Sequence, residues 1–76
     1  MDIEDFIEKF AFAIEMEPAA LTADTDFKAL ENWDSLNTLS IIAMADADYD
    51  VAISGDDIQN IRTIGALMET IQGRKG

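Results

Sequence analysis

The chain has 76 residues, 49% of them apolar, and contains no cysteine and no histidine. It reads as one small domain spanning residues 1–76, whose core must come from apolar burial alone, without disulfide staples, soft metal ligands, a thiol nucleophile or an imidazole base. Sixteen acids against five bases give a net charge of −11, which repels nucleic acid and anionic membranes and steers the chain toward basic partners.

The first predicted helix carries Ile3, Phe6, Ile7, Phe10 and Ile14 at i, i+3, i+4, i+7 and i+11, a single apolar stripe. Asp2, Glu4, Asp5 and Glu8 place negative charge in its first two turns, where the helix dipole favours it. Pro18 cannot continue the helix, so its end is expected at residues 15–17. Phe12 lies off the stripe and is either a peripheral contact with the long connection that follows, which is favoured, or an exposed aromatic. In that connection, residues 18–33, Thr22, Asp24, Thr25 and Asp26 favour turns through side-chain bonds to the backbone. Leu21, Phe27 and Leu30 are its expected anchors, with one helical turn around 26–30, and Trp33 is expected at the core edge.

Asn32-Trp33-Asp34-Ser35-Leu36 then opens the second helix. The Asp34 carboxylate is suited to accept from the free amides of the first turn. That places the Ser35 hydroxyl at the mouth of the helix, where an attached phosphate meets favourable partial charge. The helix is predicted from Ser35 to about Tyr49. At 100° per residue its apolar positions form two clusters rather than one stripe. Ile41, Ile42, Ala45 and Tyr49 are assigned to the core. Leu36, Leu39 and Ala43, adjacent to Ser35, are assigned to a surface that meets partners, and Met44 lies apart from both. Asp46, Asp48 and Asp50 crowd the last turns, against the dipole.

Ser54 is expected to cap a short helix over 56–61, and Thr63 to cap a last one with Ile64, Leu67, Met68 and Ile71 as its stripe. Gly73 is the predicted left-handed stop, leaving Arg74-Lys75-Gly76 as a frayed polar tail. No stretch alternates as a strand does. The predicted fold is all-α, a small four-helix bundle of three longer helices and one short, with a long loop between the first two. No charged-then-apolar leader opens the sequence and no apolar run approaches the ~20 residues of a membrane span, so a cytoplasmic chain without membrane insertion is expected.

An isolated Asp-Ser-Leu ordinarily marks nothing more than a helix start, but the surroundings here are specific. The amphipathic first helix, the loop with Phe27 before Asp34-Ser35-Leu36, and the apolar second helix ending in Tyr49 come in a recognisable order. Ile53, Asp56-Asp57, Ile58, Ile61 and Thr63-Ile64 follow. Over nearly its whole length the chain resembles an acyl (or peptidyl) carrier protein. The resemblance implies that Ser35, between Asp34 and Leu36, carries covalent 4′-phosphopantetheine, whose thiol holds acyl groups as thioesters for fatty-acid, polyketide or related biosynthesis. It implies a monomeric carrier that catalyses nothing. A phosphopantetheinyl transferase and acyl-loading and acyl-processing enzymes with basic docking surfaces would be its partners, meeting Leu36, Leu39, Ala43 and Asp46. Three positions depart from the family pattern. Trp33 stands where many fatty-acid carriers have a small residue after a glycine, and Asn37 and Ser40 stand where docking acids are common. The departures point away from bulk fatty-acid synthesis and toward a dedicated polyketide-like, nonribosomal or envelope-lipid pathway.

Two other chemistries are weighed against this. Asp46-x-Asp48-x-Asp50, with Asp57 at the twelfth position, resembles an EF-hand calcium loop with oxygen ligands. Val51 stands where the loop needs glycine, and Asp57 is shorter than the usual bidentate Glu, so a metal site is not assigned. A catalytic Ser35 lacks a histidine base, and Lys9, Lys28 and Lys75 are the only lysines available. No catalytic residue is assigned.

Overall fold

The structure, a computed structural model, describes residues 2–75. Four helices make the bundle: α1 (Ile3–Ala13), α2 (Ser35–Tyr49), α3 (Gly55–Gln59) and α4 (Ile64–Lys75), and no strand is present among the described residues. Asp2 starts α1 by accepting the Glu4 N–H at 3.2 Å. Phe6, Phe10, Ala11 and Ile14 are buried on its inner side, while Ile7 is partly buried.

The end of α1 differs from the sequence expectation. The helix stops before Pro18 exerts any effect, because Glu15 turns left-handed at φ 59°. Met16 N–H then bonds the Ala11 carbonyl at 2.8 Å and Glu15 N–H that of Phe12 at 3.3 Å, a closed C-terminal turn of the Schellman type. Pro18 instead opens a 3₁₀ turn, Pro18–Ala20. A β-carbon in left-handed backbone is unfavourable, so Glu15→Gly is expected to raise stability by roughly 0.5–1 kcal/mol. Urea titration measures this, and a lower midpoint would mean that the Glu15 side chain compensates for its backbone. The turn also leads the chain away from Phe12, which is 88% exposed rather than packed on the loop.

The long connection is held as its anchors predict. Leu21 and Phe27 are buried and Leu30 packs partly against the core. Phe27 meets Phe10 edge-on at 5.4 Å between ring centroids, and Trp33 meets Phe27 at 5.1 Å, so Trp33 closes the core edge. The 3₁₀ turn Phe27–Ala29 accounts for the helical turn expected around 26–30. Backbone bonds join this segment to the start of α4: Gly65 N–H to the Ala23 carbonyl at 2.8 Å and Ile64 N–H to that of Thr25 at 3.2 Å. A Cβ at position 65 would lie 3.1 Å from the Ala23 oxygen, so a larger residue there requires that backbone to shift by a few tenths of an ångström.

Helix α2 is touched by α1, α3 and α4, which gives it a wide buried arc. Ile41, Ala45 and Tyr49 are buried as assigned, but Ile42 is only partly so, and Met44, set apart in the sequence reading, is buried. A long thioether side chain reaches the core from a position off the stripe. The Tyr49 ring stacks obliquely on Phe6 at 5.7 Å. The helix ends where Asp50 turns left-handed at φ 56° and donates to the Asp46 carbonyl at 3.1 Å.

Ser54 and Asp57 cap α3 reciprocally: Ser54 Oγ accepts the Asp57 N–H at 3.2 Å, and the Asp57 carboxylate accepts the Ser54 N–H at 2.8 Å. The helix is shorter than expected, closing at Gln59. Thr63 caps α4 by accepting the Ala66 N–H at 3.1 Å, and Ile64, Leu67 and Ile71 are fully buried. Gly73 does not stop this helix, which continues to Lys75, and no described glycine has positive φ. Arg74 is not frayed either: its guanidinium donates two bonds to Asp57, at 2.6 and 2.8 Å, and one to the Ala52 carbonyl at 3.3 Å. Gly76 lies outside the described residues.

The Arg74 bonds, followed by the Ser54 N–H, hold the Asp57 carboxyl well below the usual carboxylate range. A depressed acid contributes stability above its unfolded value of about 3.9 and loses it as pH falls toward the lower folded value. Arg74→Ala is therefore expected to lower the melting temperature at neutral pH and to weaken the loss of stability below about pH 4. Thermal melts of parent and variant from neutral pH to about 2 check this, and parallel acid profiles would remove Asp57 as a source of acid sensitivity.

Candidate functional site around Ser35

The segment before α2 is fixed from both sides. Trp33 rests on Phe27, and its N–H bonds the Leu30 carbonyl at 3.0 Å. Asn37 Nδ2 reaches back to the Asn32 carbonyl at 2.6 Å. Asp34 Oδ1 accepts the Asn37 N–H at 2.9 Å, as its place ahead of the helix predicts. Ser35 is thus the first helical residue, exposed on a rigid mount. The amides of Ser35 and Leu36 have no acceptor among the described residues, leaving the positive end of the helix open beside the hydroxyl.

The three serines of the chain differ in one respect. Ser40 Oγ is engaged with the Leu36 carbonyl at 3.1 Å, and Ser54 Oγ is held within the α3 cap. Ser35 Oγ makes no hydrogen bond among the described residues. It borders an open groove of about 740 Å³ between α2 and α3, whose walls include Trp33, Leu39 and Ile42 on one side and Ser54, Asp56 and Gln59 on the other. A hydroxyl-linked phosphodiester with a long, partly apolar arm fits this arrangement. The oxygens would face the open amides, and the arm would have an apolar wall to lie against.

The four residues expected to meet partners are all exposed, Leu36 by 68% and Leu39 by 62%, with Ala43 and Asp46 exposed as well. On α2 they fall within about 80° of one another, at 100° per residue, along one exposed ridge with grooves on both sides. Leu39 borders the α2/α3 groove that holds Ser35, and Leu36 and Ala43 border the grooves on the α1 side of the ridge. Asp46 lines none of them.

The geometry gives the calcium alternative no support. Asp57 is committed to Arg74 through two bonds, and Asp50 serves as the left-handed terminus of α2. No three acidic, histidine or cysteine side chains among the described residues come together as a metal site. No described helix is long and apolar enough to cross a membrane.

A family model described as "Phosphopantetheine attachment site" matches residues 4–71. No curated protein matches the chain.

Proposed function

The chain belongs to the phosphopantetheine attachment site family, the acyl and peptidyl carrier proteins, and on that premise we propose that Ser35 is the attachment point of its 4′-phosphopantetheine. The observation that carries this is the hydroxyl itself. It is exposed, unengaged, rigidly placed at the start of α2 and open to the α2/α3 groove, unlike the bonded hydroxyls of Ser40 and Ser54. The bound group supplies a thiol, which this cysteine-free chain lacks.

The chain's own part is to bind and present. Asp34 holds the first turn, and Trp33 with Asn37 fixes the approach of the loop. Leu39 and Ile42 give the arm an apolar wall. Catalysis belongs to the transferase that attaches the group and to the biosynthetic enzymes that load and process it. The chain acts as one monomeric domain, residues 1–76, in the cytoplasm. Its cargo is an acyl group of fatty-acid, polyketide or related specialised synthesis. Asn37 and Ser40, where carriers for bulk fatty acids often have acids, turn inward to the Asn32 and Leu36 carbonyls. That favours a dedicated pathway. Leu36, Leu39, Ala43 and Asp46 are the docking residues of this reading.

The test is intact-mass analysis after incubation with coenzyme A, Mg²⁺ and a broad-specificity phosphopantetheinyl transferase. A single added phosphopantetheine, mapped by fragmentation to Ser35, is expected. Attachment at Ser40, Ser54 or Thr38 would overturn the assignment while leaving the family intact.

A further inference from the structure

Phe12, the most exposed large apolar side chain among the described residues, is unused by the Ser35 site. It stands on α1 between two open grooves that run against α2. One, of about 560 Å³, is walled by Ala13, Ala43, Met44 and Ala47 together with Glu8, Lys9 and Asp48. The other, of about 640 Å³, is walled by Ile14, Met16, Leu36 and Ser40 together with Glu15. Ser35 lines neither; it opens on the opposite flank of α2, toward α3. The molecule therefore presents two separate apolar flanks on one helix.

Charge selects the occupant of the α1 flank. Three carboxylates, Glu8, Glu15 and Asp48, face a single Lys9 there, and none of the three belongs to an ion pair among the described residues. A second copy would bring the same acids and a net charge of −11, so the flank repels itself, as it does an anionic bilayer. The acid at position 15 also occupies left-handed backbone that glycine adopts more easily. Two grooves in succession along the α1/α2 cleft, on either side of a protruding ring, suit the apolar face of a helix, which anchors at i, i+3 and i+4.

We propose that the α1/α2 flank docks an amphipathic, basic-flanked helix of a partner protein. Phe12 is its aromatic anchor, and Glu8, Glu15 and Asp48 pair with its basic residues. Ser35 and its α2/α3 groove lie outside this flank, but a partner bound there covers Leu36 and Ala43 and so competes with enzymes that dock through them.

The probe is a synthetic helical peptide with a leucine stripe flanked by lysines, titrated into the full isotope-labelled chain and followed by NMR. A matched peptide with glutamates in place of the lysines is the control. Shifts are expected at Phe12, Leu36, Ser40, Ala43 and Ala47. Phe12→Ser, which removes only an exposed ring, should weaken binding about tenfold or more. Glu15→Gly should weaken it too, although that variant folds more stably, so loss of structure cannot explain the result. Phe12→Ser should accept phosphopantetheine at the parent's rate, whichever residue carries the group. Shifts confined to the α2/α3 groove, equal binding of the acidic peptide, or unchanged affinity in Phe12→Ser would overturn the proposal. So would slowed modification of Phe12→Ser, or a dimer in sedimentation that the variant abolishes.

Discussion

Ser35→Ala is expected to melt like the parent and to take up no phosphopantetheine at all. The first half follows from exposure and bonding. The hydroxyl makes no bond among the described residues, Asp34 rather than Ser35 caps α2, and alanine is a good first-turn residue. Surface changes of this kind usually stay within about ±0.5 kcal/mol. The second half follows from chemistry. A serine-linked phosphodiester needs a free hydroxyl, and the other two serines use theirs internally. Moving attachment to Ser40 would mean breaking its bond to the Leu36 carbonyl inside a helix, and to Ser54, dismantling the α3 cap. Intact mass and circular dichroism on the same sample decide both halves. A mass gain on Ser35→Ala would end the assignment, and a collapsed melt would show that the hydroxyl has a structural role.

The parts of this fold that were legible in sequence are those where one local interaction decides the outcome. Asp34 begins α2 because its carboxylate reaches the Asn37 amide three residues on, and the predicted bounds of α2 match those observed. Phe27 was readable as the loop anchor because a long connection in so small a domain has few large apolar residues to hold it. Where distant partners decide, the reading failed. Gly73 looks like a helix stop until Arg74 is seen bonded to Asp57, seventeen residues away in sequence. Met44 looked unassigned because a helical wheel carries no information on how many neighbours a helix has, and α2 has three. Glu15 gave no warning, since left-handed termini are read from glycine or asparagine. Phe12 was misplaced for the same reason: the unpredicted turn at Glu15 sends the loop away from it. At the site, Ser35 and the exposure of Leu36 and Leu39 were readable from the helix start and the wheel. The grooves on either side of them were not, because those depend on where α1 and α3 pack.

Burial on one face of α2 and exposure on another set the contrast between Ile41→Asp and Leu39→Asp, two substitutions of like size on one helix. Ile41 is fully buried, and an aspartate there must either hold an unpaired charge away from water or stay protonated with an unsatisfied carboxyl. Either costs several kcal/mol. A domain of 76 residues has only about 4–11 kcal/mol in total, at roughly 0.05–0.15 per residue. The added charge also raises the self-repulsion of an already acidic chain. Ile41→Asp is therefore expected to unfold the domain at 25 °C or leave it barely folded. Leu39 is 62% exposed, so Leu39→Asp should stay within about ±0.5 kcal/mol of the parent. Its effect should appear in recognition instead. Leu39 shares the groove with Ser35, and losing an apolar contact at the centre of a docking surface commonly costs more than 1 kcal/mol. Modification by the transferase should slow about tenfold, the rate equivalent of about 1.4 kcal/mol. Denaturation curves and modification rates of both variants measure the contrast. If Leu39→Asp melts out as Ile41→Asp does, the Leu39 face belongs to the core. If it folds normally and is modified at the parent's rate, the transferase reads Ser35 without touching that face.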